Sequence, residues 1–223
     1  MIMHAPVIIR EKLIGYGAEP VLRDLDLVIE AGECVAVLGR SGAGKSTLLN
    51  LIHARCADDA ALIPQAQALV RPLSVFHNVY IGRLDKHTTW FNLKTLVWPG
   101  MREKSEIASV LSIVGLGEKI FAQAGALSGG QQQRISIARA LYNARPVIVG
   151  DEPVSALDRS QGDSLLACLA KASQTLVLAM HDVPLALAHA TRILMIAGGR
   201  IALDAPSASL RAADLAPYYD ASR

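Results

Sequence analysis

The stretch Gly39-Arg40-Ser41-Gly42-Ala43-Gly44-Lys45-Ser46-Thr47 decides the fold of this chain. The apolar run 34–38 before it predicts a buried strand, and the run 48–52 after it predicts a helix. Glycines between a strand and a helix let consecutive backbone N–H groups converge on one anion, and the helix dipole adds to the attraction. The sequence therefore predicts a phosphate-binding loop, in which Lys45 reaches the β- and γ-phosphates of a nucleotide and Ser46 ligates Mg²⁺. A glycine-rich turn without a ligand is the less favoured alternative.

Composition limits the class of protein. Of the 223 residues, 52% are apolar and only 4% are aromatic, which favours an α/β domain with a buried parallel sheet. The 22 basic and 20 acidic residues leave a net charge of +2, which does not indicate a nucleic-acid-binding surface. The sequence has no apolar run of the roughly 20 residues that a membrane helix needs and no signal-peptide pattern, so we expect a cytoplasmic protein. The three cysteines, far apart, are expected to be small buried apolar residues.

Strand patterns and helix patterns divide the chain into parts. Strand patterns lie at 7–13, 25–29, 34–38, 61–64, 147–149, 175–179 and 193–196. Between residues 71 and 145 only helical periodicity remains, with Ser74 as a predicted helix cap. We therefore expect an α/β core interrupted by a helical insertion. The aromatic residues Trp90, Phe91 and Trp98 fall between predicted helices, where a small packing cluster is favoured over a binding site.

A second glycine-containing turn precedes a predicted helix further along the chain. Ser128, Gly129 and Gly130 stand ahead of a helical run that continues through Leu141. The N–H groups and dipole of that helix can form another anion site. Alone, the string Leu127–Gln131 is a modest signal, because Ser-Gly-Gly is also an ordinary turn.

Two carboxylates and a histidine follow buried strands. Asp151 and Glu152 come directly after the apolar run 147–149, and His181 follows the run 175–179. Ligands bind at the carboxyl ends of parallel strands, so Asp151 is placed to hold Mg²⁺ and Glu152 to polarise a water that attacks the γ-phosphate. His181 is placed to donate to the same phosphate. The alternatives are a pair of acids that cap a helix and a structural histidine.

These motifs together resemble the nucleotide-binding subunit of an ATP-binding cassette (ABC) transporter over nearly the whole chain. The matches are the phosphate loop at 39–47, the family signature at Leu127–Gln131, the magnesium aspartate Asp151, the catalytic glutamate Glu152, the partner-crossing loop 155–158 with Asp158, and the switch histidine His181. Gln65 resembles the glutamine that senses the γ-phosphate and helps to ligate Mg²⁺, with Gln67 as a substitute. Tyr16 resembles the aromatic residue that stacks on adenine.

The resemblance implies one ABC ATPase domain over 1–223, with a P-loop NTPase fold. Residues 1–70 and 146–223 would form the RecA-like core, which has a mostly parallel sheet, flanking helices and a small N-terminal antiparallel part. Residues 71–145 would form the inserted helical subdomain. It also implies ATP and Mg²⁺ as ligands and a head-to-tail homodimer or pseudo-dimer, in which Ser128, Gly129, Gly130 and Gln131 of one subunit close over the ATP at Lys45 of the other.

The implied partners are integral membrane permease subunits and, indirectly, a solute-binding protein, at the cytoplasmic side of the inner membrane. A narrower likeness to phosphonate-importer ATPase subunits rests on 69–75, 78–79, 82–84, Thr89-Trp90 and 151–154. The chain would thus energise an importer for phosphonate or a related oxyanion. The alternatives are a soluble non-transport ABC ATPase and a truncated cassette that binds ATP as a regulatory module.

The sequence departs from the family pattern at two places. Only about a dozen residues separate Ile52 from Gln65, so we expect a trimmed antiparallel part. Gly150 stands where the family has alanine or a larger apolar residue, so we expect looser packing behind Asp151.

Overall fold

The computed structural model describes residues 5–16, 19–66 and 68–220. The strands within these ranges are β1 (Val7–Tyr16), β2 (Glu19–Ile29), β3 (Cys34–Gly39), β4 (Ala60–Ile63), β5 (Val147–Asp151), β6 (Thr175–Ala179), β7 (Arg192–Ala197) and β8 (Arg200–Pro206). The α-helices are α1 (Lys45–Arg55), α2 (Val75–Tyr80), α3 (Thr89–Val97), α4 (Met101–Ile113), α5 (Gly129–Asn143), α6 (Arg159–Ala172), α7 (Val183–His189) and α8 (Ala212–Asp220). Short 3₁₀ segments lie at Ile81–Lys86, Gly117–Lys119, Ala124–Ala126 and Ser207–Ser209.

The larger sheet has the strand order β4-β5-β6-β3-β7-β8. Its first five strands are parallel, and β8 pairs with β7 in the antiparallel direction. The strands β1 and β2 form a separate antiparallel pair. The mixed α/β fold with a mostly parallel sheet and a small antiparallel part is therefore confirmed. Because β3, β5 and β6 are adjacent and parallel, the residues that follow them meet at one edge of the sheet.

Successive residues of the central strands point to opposite faces of this sheet, and both faces are buried. Ala36 and Leu38 face a core that includes residues of α5, α6 and α7, whereas Val35 and Val37 face a core shared with α1 and the β1–β2 pair. A strand buried on both sides reads as a continuous apolar run, which is why 34–38 has no polar residue. Helices on both faces thus hold the carboxyl edge of the sheet rigid.

The helices α2 to α5 lie between β4 and β5 in the chain. Apolar side chains of α2, α4 and α5, among them Phe76, Val79, Ile107, Leu111 and Ile135, belong to one buried cluster. Ser74 caps α2 by accepting from the His77 N–H, as the sequence predicts. The division of the chain into a core and an inserted subdomain remains a prediction.

The aromatic residues of this region differ from the sequence expectation. Trp90 and Phe91 lie in helix α3, not in a connection, and Trp98 is its C-cap. Trp90 is 78% exposed and Trp98 is 76% exposed, so the expected packing cluster is wrong for both. Among the described ring contacts, Phe91 alone of these three residues has a partner, since it stacks on His87 with centroids 4.7 Å apart. A nine-residue helix at the surface has room to bury only one of its faces.

Two other expectations concern the segment between α1 and β4 and the packing around Gly150. Four residues, 56–59, join α1 to β4, and none of them forms a strand, in agreement with the short segment in the sequence. A Cβ added at Gly150 would lie 2.7 Å from Leu178 Cδ2. The expected loosening behind Asp151 is therefore wrong, because the Leu178 side chain fills that space.

The three cysteines are partly buried and unpaired by disulfides. Burial raises the pKa of the Cys34 and Cys56 thiols to about 11, so both stay protonated at neutral pH. In the part of the chain that the structure describes, no helix combines the length and the apolar character that a membrane span requires.

Candidate functional site

The predicted phosphate loop joins the end of β3 to the start of α1. Gly39, with φ +148°, approaches the neighbouring strand so closely that an added Cβ would lie 2.6 Å from the Ile196 carbonyl oxygen. Gly44, with φ +106°, is the N-cap of α1, and no side chain caps this helix start. The described structure thus leaves the N-terminus of α1 to be completed by an anion.

The Lys45 side chain is buried beneath this loop. Its Nζ atom donates to the carbonyl oxygens of Gly39, at 2.8 Å, and Arg40, at 2.9 Å. Burial lowers the pKa of Lys45, and the carboxylates of Glu152 and Asp151 oppose that shift. The ammonium group therefore lies within electrostatic reach of both acids.

A cleft of about 220 Å³ opens over the loop. It is lined by Val21, Ser41, Gly42, Gly44, Lys45, Ser46, Thr47, Gln65, Glu152 and His181. Nine of the residues that the sequence places at a nucleotide site line this cleft, including Gln65, which follows β4, whereas Asp151 is not among the lining residues. Gln67 lies outside the described residues. The backbone of Tyr16 ends β1, but its side chain also lies outside the described part of the structure.

The carboxyl ends of β5 and β6 place the acids beside the histidine. Asp151 is the last residue of β5, and Glu152 follows it with φ +52°, in the left-handed region. The Glu152 N–H donates to the Ala179 carbonyl oxygen at 3.0 Å, which joins the ends of the two strands. His181 Nε2 lies 2.5 Å from Glu152 Oε1, with the glutamate side chain 14% exposed and the histidine side chain 47% exposed. A shielded carboxylate beside an accessible imidazole suits proton transfer to or from a bound water.

The signature residues lie elsewhere on the molecule. Ser128 is the N-cap of α5 and forms a capping box with Gln131. Gly129 and Gly130 make up the first turn of α5. None of the residues 128–131, all within the described ranges, lines the cleft of its own chain.

Asp158 also has a local role that the sequence analysis does not include. It is the N-cap of α6, and its Oδ1 atom accepts from the Gln161 N–H at 2.9 Å. Its carboxylate therefore stabilises a helix start, and any contact with a nucleotide or a second copy remains a prediction.

Val21 lines the cleft without a signal in the sequence, and a second unpredicted residue near the site is Gln133. Its side-chain amide, on α5, donates to the Glu152 carbonyl oxygen at 2.7 Å and accepts from the Ala156 N–H at 2.8 Å. The sequence signal that could have identified Gln133 is its polar side chain at a position of the helical pattern where an apolar residue is expected, two residues before Ile135 and four before Ile137. Three successive glutamines at 131–133 hide that signal.

Known proteins are similar to this chain over most of its length. The family model described as "ABC transporter" matches residues 22–155. A "Phosphonates import ATP-binding protein PhnC" of Anaeromyxobacter dehalogenans is 36% identical over 94% of this chain, a match that spans 47% of that protein's length. A PhnC of Pseudomonas entomophila is 36% identical over 95% of the chain and 90% of its own length. One of Natronomonas pharaonis is 37% identical, with 92% and 95% covered.

Solved structures give the same result. A dimeric ATP-binding cassette in a post-hydrolysis state bound to ADP and Pi has a TM-score of 0.76 and 26% identity, covering 88% of this chain and 95% of its own. A dimeric bacterial ABC transporter cassette has the same TM-score, identity and coverage. The resemblance seen in the sequence is thus confirmed, and this chain belongs to the ABC transporter family as one of its ATPase cassettes.

Proposed function

We propose that this chain binds and hydrolyses ATP to drive import through separate membrane subunits. The observation that carries the proposal is the cleft in which Lys45, Ser46, Glu152 and His181 meet at the N-terminus of α1. Phosphoryl transfer needs positioning and electrostatic stabilisation of this kind, with little covalent chemistry from the protein. The relatives are named as phosphonate import proteins, which supports phosphonate or a related oxyanion as the transported solute.

ATP binding would use the backbone of the loop and Lys45. The N–H groups at the start of α1, which no side chain caps, would donate to a phosphate group, and the helix dipole would attract it. Lys45 Nζ, now held by two carbonyl oxygens, would turn to the β- and γ-phosphates. Tyr16 would stack on the adenine.

The oxygen-bearing side chains at the cleft suit a Mg²⁺ ion that the protein and the nucleotide phosphates coordinate together. Within the described ranges no group of three or more His, Cys, Asp or Glu side chains could hold a metal ion by itself. Mg²⁺ in such sites takes a few protein oxygens and completes its shell with phosphates and water. Ser46, Asp151 and Gln65 would supply those oxygens, and the ion would neutralise charge on the β- and γ-phosphates.

Glu152 and His181 would carry out the hydrolytic step. The Glu152 carboxylate would polarise the attacking water, and Gln65, which lines the same cleft, would sense the γ-phosphate. His181 would orient that carboxylate and donate to the transferring phosphoryl group.

A second copy would complete each site. The cleft of one chain lacks residues 128–131, and both dimeric cassettes described above are similar to this chain. In a head-to-tail homodimer, Ser128, Gly129, Gly130 and Gln131 of one copy would cover the ATP bound by the other, so two-fold symmetry makes both sites equivalent. Asp158 would lie near the same interface.

The dimer would bind integral membrane permease subunits at the cytoplasmic side of the membrane, and the permease would receive solute from a binding protein. The exposed apolar side chains of α3 and its C-cap, including Trp90, Val97 and Trp98, provide a surface for the permease. A soluble ABC ATPase or a regulatory cassette is not favoured, because every hydrolytic position is filled and the relatives are named as import proteins.

The proposal is tested by Glu152→Gln and Lys45→Ala, with wild-type protein as the reference. Glu152→Gln should retain ATP binding, reduce phosphate release by at least about 100-fold and trap an ATP-bound dimer. Lys45→Ala should weaken ATP binding in a direct titration. Unchanged phosphate release in the first variant would contradict the role of Glu152, and unchanged affinity in the second would contradict the phosphate-loop assignment.

A further inference from the structure

The Gln133 side chain is buried between α5 and the loop that follows β5. It is 5% exposed. Its Nε2 atom donates to the Glu152 carbonyl oxygen at 2.7 Å and lies 3.4 Å from Ser155 Oγ. Its Oε1 atom accepts from the Ala156 N–H at 2.8 Å. A buried amide whose two ends are both bonded to the same loop fixes that loop in one arrangement.

The backbone segment to which Gln133 is hydrogen-bonded includes Glu152, whose backbone conformation is strained. Glu152 has φ +52°, a conformation that costs a residue with a Cβ and persists only when the surroundings enforce it. Its carbonyl oxygen also accepts from the Ser155 N–H at 3.2 Å and the Ser155 hydroxyl at 3.1 Å. These donors orient the peptide group that follows Glu152, and so set the direction in which its carboxylate points to His181.

The same face of α5 touches this loop one turn earlier. A Cβ added at Gly130 would lie 3.1 Å from the Ala156 carbonyl oxygen and 3.2 Å from Leu157 Cδ2. Residues 130 and 133 are three apart and share one side of the helix. The first turns of α5 therefore pack directly on residues 152–157 of their own chain, next to the backbone of Glu152.

We propose that Gln133 is a positioning residue that couples the signature end of α5 to the Glu152 backbone of the same chain. This inference rests on the proposed function, in which residues 128–131 serve the ATP of the partner copy. Docking of one chain's signature on the partner's nucleotide would then align that chain's own Glu152.

The test compares Gln133→Met, which removes both hydrogen bonds at similar volume, with Gln133→Glu, which keeps only an acceptor for the Ala156 N–H. Thr175→Val is the matched control, because Thr175 is a buried polar residue at the opposite end of β6, whose Oγ1 accepts from the Gly32 N–H. We expect Gln133→Met to lower kcat roughly 10- to 100-fold with the KM for ATP within two-fold of wild type. Gln133→Glu, which places a carboxylate oxygen against the Glu152 carbonyl oxygen, should lower kcat at least as much, and Thr175→Val should keep wild-type kinetics despite a lower thermal midpoint.

A double-variant cycle separates positioning from a general packing defect. In single-turnover measurements on a Glu152→Gln background, Gln133→Met should cause no further loss, because the carboxylate that it positions is already absent. An equal fold-loss in both backgrounds, or a raised KM with unchanged kcat, would overturn the proposal. If Gln133→Met does not fold, the same comparison is made with Gln133→Glu, for which wild-type kcat would overturn it.

Amide hydrogen exchange gives a measurement that does not depend on turnover. Gln133→Met should speed exchange within residues 152–157, whereas Thr175→Val should not. If the wild-type protein bound to ATP and its membrane partners shows no turnover, the proposed function fails. Amide hydrogen exchange in residues 152–157 then tests by itself whether Gln133 holds the Glu152 backbone. Unchanged exchange in that segment would overturn the coupling even if the protein is an active ATPase.

Discussion

The Nε2 atom of His181 lies 2.5 Å from Oε1 of Glu152, although 29 positions separate the two residues in the chain. The pairing arises because β5 and β6 are adjacent parallel strands that end at the same edge of the sheet. It joins a carboxylate that can polarise water to an imidazole that can donate to phosphate.

His181→Ala should therefore lower kcat for ATP hydrolysis by roughly 100-fold or more while ATP binding is retained, because the change removes the group that we propose to act on the transferring phosphate. Steady-state phosphate release and direct ATP titration measure the two quantities. His189→Ala is the matched control, since His189 pairs with Asp163 at 2.8 Å at the surface, away from the cleft. Equal kcat values for the two variants would show that the Glu152 contact has no catalytic role.

Gly39→Ala should destabilise the protein more than Gly42→Ala. Both positions have positive φ, but an added Cβ meets the Ile196 carbonyl oxygen at 2.6 Å in the first case and no atom within 4 Å in the second. Backbone atoms of a central strand cannot move aside cheaply, so we expect a difference of about 1–3 kcal/mol in the free energy of unfolding. Urea unfolding of both variants measures it, and equal losses would mean that only backbone conformation matters there.

Gly150→Ala should also lower the free energy of unfolding, by about 1–3 kcal/mol, because the new methyl group would overlap Leu178 Cδ2. Adding Leu178→Ala creates room for the methyl group. We therefore expect the double variant to lose less stability than the sum of the single variants, as denaturant unfolding of all four proteins would show. Strict additivity would indicate that Leu178 does not occupy the space beside Gly150.

The exposed tryptophans give a prediction for partner binding. Replacing Trp90 and Trp98 together by serine should leave the basal ATPase rate of the cassette within two-fold of wild type, since neither residue lines the cleft. The same change should reduce recovery of the co-expressed permease subunits in affinity purification, because a desolvated apolar contact would be lost. Leu13→Ser is the control, as Leu13 is 65% exposed on β1. Undiminished recovery of the permease with the tryptophan variant would place the docking surface elsewhere.

Several features of the site follow from short stretches of sequence. The strand, glycine-rich turn and helix around Lys45 are decided by local periodicity and by backbone conformations that only glycine adopts easily. The caps at Ser74 and Ser128 are equally local, because a side-chain oxygen bonds an N–H group three residues away. The apolar runs that end at the acids and at His181 predict their common edge through the rules of parallel sheets.

Other features depend on residues that are distant in the chain and become neighbours only on folding. Leu178 fills the space beside Gly150 from an adjacent strand, and the surface position of α3 leaves Trp90 and Trp98 exposed. Neither result has a signal within a window of sequence, since each depends on what packs against the residue.

The sequence by itself determined the class of fold, the phosphate loop and the identity of the residues that would do the chemistry. Only the tertiary structure decided how Glu152 is held, through a left-handed backbone and the amide of Gln133 on another element. The physical reason is range: helix periodicity, caps and glycine turns act over a few residues, whereas a buried hydrogen bond across 19 positions exists only after the chain has packed.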